Sequence, residues 1–329
     1  MGSFWLPAIS FGHPPKKLNR KKWGQSTFSE VDGGAGKRYA PFCERRRRPG
    51  CLKGEEPMDS THKNRVQASF GPHARAYTTS AVHARGTSLA RLVQLVAPQG
   101  HERVLDIATG AGHTALAFAP HVAYVVGLDL TRPMLGEARW LAHQRGLGNV
   151  GFCQGDAEHL PFADASFAVV TCRIAPHHFP DVARALREMA RVCAPGGRVA
   201  LADNVMPEDT AAAAYINDFE ALRDPSHHWA YSLSDWRQLL QAAGLILEAE
   251  EVLVKTMNFA DWVARLAVSR EVVEELRQRL FNAPAASRAY LRPRVEGQEA
   301  YFELTEGLFV ARKAERSRAA APGPRHRPE

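Results

Sequence analysis

Val104-Leu105-Asp106-Ile107-Ala108-Thr109-Gly110-Ala111-Gly112-His113-Thr114 decides how the rest of this chain is read. An apolar strand-like run breaks into a glycine-containing turn, and a helix pattern follows at once. The next such run, Val125-Val126-Gly127-Leu128-Asp129, ends on an acid 23 positions after Asp106. In nucleotide-binding βαβ units the carboxylate that holds a ribose comes about 20 residues past the glycine turn. Together the turn and Asp129 point to a ligand that contains an adenosine ribose.

Each residue type has a physical job in such a site. Gly110 and Gly112 carry no Cβ, so a ligand can come close to the backbone. The helix after Gly112 aims free N–H groups at the ligand, which suits a carboxylate or phosphate. Asp129 has the lone pairs to accept from two ribose hydroxyls. The dinucleotide fingerprint G-x-G-x-x-G is missing: Ala108 stands at the first glycine position, Gly110 and Gly112 follow at alternate positions, and residue 115 is Ala. Asp106 would repel a pyrophosphate but can meet a cationic amino group. A nucleoside joined to an amino acid, S-adenosylmethionine, fits better than NAD. A nicotinamide-dependent oxidoreductase, which needs the missing fingerprint, is therefore the lesser alternative.

The ordered motifs resemble the class I S-adenosylmethionine-dependent methyltransferases, in particular the small-molecule group (methyltransferase type 11) that includes the ubiquinone/menaquinone C-methyltransferases. Asp106-Ile107-Ala108-Thr109-Gly110-Ala111-Gly112 is similar to the family's first motif, with Ala in place of one glycine. Asp129-Leu130-Thr131-Arg132-Pro133-Met134 looks like the ribose acid and the residues that cover the adenine. Gly155-Asp156-Ala157 looks like the segment whose Asp binds the adenine amino group. Ser166–Arg173 looks like the fourth strand, with Ala168 where the family usually has Asp, and Ala194-Pro195-Gly196-Gly197-Arg198 like the turn into the fifth. The resemblance covers about Phe70 to Lys313. It implies a doubly wound, mostly parallel, seven-stranded Rossmann-like α/β sheet with helical lid insertions. It further implies S-adenosylmethionine as cofactor, held by Asp106, Ala108, Gly110, Gly112, Asp129, Leu130, Met134, Asp156, Ala157 and Cys172.

Strand and helix patterns alternate as that fold requires. Strands are expected at Arg103–Ile107, Tyr124–Asp129, Val150–Gln154, Phe167–Cys172 and Arg198–Asp203, with helices starting at Thr114, Met134 and Val182. Such βαβα alternation of apolar strands means a parallel sheet covered on both faces. Ser232-Leu233-Ser234-Asp235 reads as a capping box for a helix Trp236–Ala243 that Gly244 ends. Leu245–Val254 and Glu303–Ala311 are the expected last strands. The expected domain plan is a disordered basic leader over 1–57, an amino-terminal helical lid over 58–98 and a methyltransferase domain over 99–313. A helical insertion over 259–290 and a disordered tail over 314–329 complete it. Within the lid, Phe70–Val96 reads as helical.

The formal net charge of +7 looks like a nucleic-acid signal until it is located. Residues 1–57 hold 12 Lys/Arg against 5 Asp/Glu, and residues 58–329 hold 30 of each. The folded part is thus neutral, and nucleic acid is not its expected partner. An RNA-associated methyltransferase using the basic leader stays as an alternative, as does a translated upstream region with Met58 as the natural start. The five scattered cysteines suggest a reducing, cytoplasmic setting. No apolar run approaches about 18 residues, so no membrane span is expected.

The chemistry expected is methyl transfer to a small-molecule acceptor, for example a quinone precursor or another secondary metabolite. Arg173-Ile174-Ala175-Pro176-His177-His178-Phe179 follows the fourth strand and borders the reacting methyl group in this fold. His177 or His178 can take a proton near neutral pH. The plainer reading gives one of them the cap of the next helix and the other to solvent. Tyr77 on the lid, and Arg223 and His227 after the fifth strand, are candidates for touching substrate. Their plainer readings are packing and a turn around Asp224-Pro225. The His-His pairs lack metal-ligand spacing, so no metal is expected. Acceptor and oligomeric state are left open.

Overall fold

In the computed structural model, which describes residues 60–79, 84 and 86–315, nine strands form one mixed sheet. The first four are β1 (Arg103–Ile107), β2 (Tyr124–Asp129), β3 (Val150–Gln154) and β4 (Phe167–Arg173). After them come β5 (Cys193–Met206), β6 (Tyr231–Ser232), β7 (Leu245–Asn258), β8 (Arg294–Glu296) and β9 (Glu299–Lys313). The main path runs β3-β2-β1-β4-β5-β9-β7. Its first five strands are parallel, and β9 is antiparallel to both neighbours. The expected seven-stranded, mostly parallel sheet is therefore present, with β6 and β8 as short additions. Strand order reverses between β1 and β4, and the crevice at the carboxyl ends of such strands is where ligands bind in open α/β sheets.

The central strands read as apolar runs because both faces are covered. Leu105, Ile107, Val199 and Leu201 point into one core, while Val104 and Ala200 point into the other. Helix α6 (Val182–Val192) covers the first face; α3 (Thr87–Val96) and α4 (His113–Phe118) cover the second. Helix α5 (Arg132–Gln144) follows β2, with Pro133 in its first turn, where a missing N–H costs nothing. Helix α8 (Leu233–Ala242) opens with the predicted Ser232/Asp235 capping box.

Three readings need correction. The stretch 70–96 is not one helix: α1 (Ser60–Phe70) and α2 (Ala74–Thr79) come before α3. Gly71 and Pro72 separate the first two, because proline disfavours helical backbone in the residue before it and has no N–H to give. Helix α7 (Thr210–Arg223) went unread, although Asp209 caps it by accepting from Ala212 N at 2.8 Å. Strands β5, β7 and β9 also outrun their expected ends, and β7 with β9 forms a long overhanging ribbon. On it ride α9 (Phe259–Ala264), α10 (Arg270–Phe281) and α11 (Ala285–Leu291), which form a separate core around Phe219, Trp262 and Phe302. The leader 1–57 and residues 316–329 lie outside the described residues. Among those described, no helix is long and apolar enough to cross a membrane.

Candidate active site

The turn after β1 explains its own sequence. Ala108, Gly110 and Gly112 all adopt positive φ, at 51°, 53° and 87°. That alternation is why small residues recur at every second position. At Gly112 a second constraint applies: a Cβ there would lie 3.0 Å from the Ala138 Cβ on α5. Gly112 thus lets α4 and α5 approach each other. Gly110 N donates to Asp129 Oδ2 at 2.8 Å, and Thr131 N donates to Asp129 Oδ1 at 2.7 Å. Asp129 therefore ties the two strand-end turns together, and its carboxylate has more acceptor sites than these bonds fill. Burial pushes its pKa upward against these two bonds and one from the Thr131 hydroxyl.

A cleft opens above this turn, with about 1000 Å³ of empty space that includes open solvent. Of the predicted cofactor residues, Ala108, Gly110, Asp129, Leu130 and Met134 line it on one side, and Asp156 and Ala157 on the other. Tyr77 and His178 also reach it. Three predicted residues do not. Gly112 packs against α5. Cys172 is fully buried in the core beneath the strand ends. Asp106 is 1% exposed, so the expected contact with a cationic amino group is not direct. Its Oδ2 accepts from Thr109 Oγ1 (2.5 Å) and Ala115 N (3.0 Å), and its Oδ1 accepts from Thr171 Oγ1 (2.9 Å). Burial raises its pKa to about 6 in spite of those bonds and of Arg173. It braces the turn from below.

The amino-terminal helices close the cavity. Lys63 Nζ on α1 reaches Asp156 Oδ2 (2.9 Å) and Glu158 Oε2 (2.6 Å), and Gln67 Nε2 donates to Leu130 O at 2.9 Å. Asp156 Oδ1 accepts from Glu158 N at 2.9 Å, so this predicted adenine partner also orders its own loop. His113 sits near Tyr77 O at 2.9 Å, and Phe70 meets His178 edge-on at 5.0 Å. Lys63 and Phe70 fall in the segment read as a helical lid, but neither was named as a site residue, because no local pattern marks their contacts.

A second cavity of about 620 Å³ adjoins the first and shares Phe70, Tyr77, Ile174 and His178 with it. Ile174 stands at φ 53°, a strained backbone for a β-branched residue, with its N–H on Ala202 O at 2.7 Å. This kink after β4 turns His177 into the second cavity. His177 Nδ1 lies 2.6 Å from Asp203 Oδ1, and His177 N donates to Asp203 Oδ2 at 2.8 Å. Nε2 has no hydrogen bond among the described residues. Burial lowers the imidazole pKa, but the Asp203 charge and bond, with Glu220 and Asp224, raise it above 6.5 on balance. His178 instead contacts Ser226 O through Nδ1 (2.9 Å), and burial with the His177 charge pushes its pKa down. Neither histidine caps the next helix: Asp181 does, accepting from Arg184 N at 2.7 Å. Arg223 and His227 line this second cavity, and His227 Nε2 lies 2.8 Å from Asn217 Oδ1. Asp203 was missed, although an acid at the carboxyl end of β5 beside the His-His loop was its available signal.

The comparisons with known proteins agree with this geometry. The methyltransferase domain family matches residues 105–201. The uncharacterized methyltransferase YcgJ of Bacillus subtilis (strain 168) is 40% identical over 199 residues, covering 60% of this chain and 79% of that protein. The crystal structure of the YcgJ protein superposes with a TM-score of 0.67 at 36% identity, covering 69% of this chain and 98% of that one. A demethylmenaquinone methyltransferase of Thermus thermophilus is 44% identical over 111 residues, a third of this chain (33%) and half (50%) of that protein. The chain belongs to the class I methyltransferases.

Proposed function

We propose that the protein moves a methyl group from S-adenosylmethionine to a small-molecule acceptor, with the cofactor in the larger cavity and the acceptor in the smaller. One observation carries this reading: two cavities of different chemistry meet at Ile174 and His178, directly after β4. The 108–112 turn leaves room for a nucleoside, and the acceptor capacity left on Asp129 suits a ribose. When bound, S-adenosylmethionine supplies an activated methyl group on a sulfonium. The chain's own work is alignment and exclusion of water, which are large terms when two reactants are held together. Phe70 and Tyr77, brought in by α1 and α2, roof the junction.

Where the acceptor must lose a proton, His177 is the assigned base. Asp203 fixes Nδ1 as the protonated nitrogen, which leaves Nε2 as the acceptor of the proton. Similarity to demethylmenaquinone methyltransferases favours a quinol-like or phenolic acceptor as the second, finer reading. Calorimetry with S-adenosylhomocysteine tests the cofactor site, and a labelled-methyl screen of metabolite fractions tests the transfer. No heat with S-adenosylhomocysteine on folded protein would overturn the proposal.

A further inference from the structure

Two arginines line the smaller cavity with guanidinium N–H groups that no protein atom answers. Arg223, the last residue of α7, lays its guanidinium over the Trp262 ring at 4.4 Å and donates Nη1 to Trp262 O at 3.1 Å. Its Nε is buried without a partner. The side chain of Arg265, just after α9, has no hydrogen bond or ion pair among the described residues, and its Nε is likewise buried and unpartnered. Burial and the neighbouring Arg223 charge push the Arg265 pKa down to about 10.

The carboxylates on the same wall hydrogen-bond neutral groups and make no hydrogen bond to either guanidinium. Asp224 Oδ1 accepts from Ser226 N (2.9 Å) and Ser226 Oγ (2.6 Å). Glu220 Oε2 accepts from Asn204 Nδ2 at 3.3 Å and lies 3.7 Å from His227 Nδ1. The third cation, Lys255, is held by Asn204 Oδ1 at 2.9 Å and Glu306 at 3.5 Å. Glu220, Asp224 and Asp261 act on these two like charges at a distance, but neither buried Nε has a hydrogen-bond acceptor, and a buried donor left unanswered is costly. Guanidinium forks match the geometry of carboxylate and phosphate oxygens.

We infer that Arg223 and Arg265 form an oxyanion subsite in the smaller cavity, and that the methyl acceptor bears a carboxylate or a phosphate group. This inference rests on reading that cavity as the acceptor pocket. Tyr77, which borders both cavities, feels both arginines, and burial still raises its phenol pKa to about 12.

The test uses the full chain at fixed ionic strength, with benzoate, phenyl phosphate and the neutral match benzamide as probes in calorimetry and thermal melts. Saturable binding of benzoate or phenyl phosphate, with benzamide at least tenfold weaker, is expected. Preference between the two anions tells carboxylate from phosphate as the group recognised. Arg265→Gln should weaken the preferred anion at least tenfold, and Arg265→Lys, which keeps the charge but loses the fork, should weaken it less. S-adenosylhomocysteine affinity should be the same in all three proteins. Equal binding of benzamide, no saturable binding of either anion, or unchanged anion affinity in the Arg265 variants would overturn the inference. Anion binding that depends on Arg265, in a protein that takes no S-adenosylhomocysteine, would support the subsite and remove the cofactor reading instead.

Discussion

The cavity above the 108–112 turn and the cavity around His177 share a wall, but they are made of different materials. The first is floored by a short run of main chain in left-handed conformations, with one carboxylate bonded across it. The second is assembled from charged side chains in four distant segments: the His177 loop, the end of β5, the end of α7 with its following turn, and β7 with α9. A backbone-built site tolerates little change in φ/ψ and little else. A side-chain-built site changes its preference with each substitution, because every buried charge needs an answering group.

Four experiments break or sharpen that contrast. The largest effect belongs to His177→Gln, which should lower kcat by about 10²–10⁴-fold for an acceptor that must be deprotonated. S-adenosylhomocysteine affinity should be unchanged. Because a base works only after losing its proton, and the His177 pKa is raised, wild-type kcat should climb with pH on the alkaline side of 6.5. Initial rates against pH check this, and a His177→Gln rate within threefold of wild type would end the assignment.

Asp129→Ala comes next. Losing the bonds of a charged acceptor costs about 1.5–3 kcal/mol, roughly ten- to hundredfold in cofactor affinity, read by calorimetry with S-adenosylhomocysteine. Anion probes of the second cavity should not notice the change.

The third effect is on stability against pH. Burial holds His227 and His178 below their ordinary pKa, so the unfolded chain takes up their protons first. Stability from these two is present above 6.5 and falls as pH drops below it. The raised His177 acts in the opposite sense: its contribution is full below 6.5 and lost as pH rises through its folded value. His227→Asn should flatten the acid-side decline in melting temperature. An unchanged slope would mean that this cluster does not govern it.

The smallest effect is Ala108→Gly. Alanine at φ 51° is in a region that costs an L-residue about 1–2 kcal/mol, partly offset by the greater chain entropy of glycine. A net gain of about 0.5–1 kcal/mol, or roughly 2 °C in Tm, is expected. A loss would show that the methyl group of Ala108 packs usefully.

Legibility followed the same division. The five parallel strands and the turn between Ile107 and His113 could be read because period, small residues and the acid at 129 all sit within one local stretch. The capping box at Ser232 was legible for the same reason. Asp106 was read as facing the ligand, whereas it is buried and braces the turn, because burial depth is a tertiary property. Asp203 could be tied to His177 only once β4 and β5 were known to be neighbours, and Arg265, which reaches Arg223 from an insertion, carries no local pattern. Helix α1 lacks a sustained apolar face, and its docking depends on polar contacts such as Lys63 to Asp156.

The kink at Ile174 has a practical corollary. A branched side chain held in that part of conformational space stores on the order of 1–3 kcal/mol. Anyone seeking a hardier protein would choose glycine there first. That edit would also free the hinge that aims His177, so the same change that toughens the molecule is the one expected to dull it.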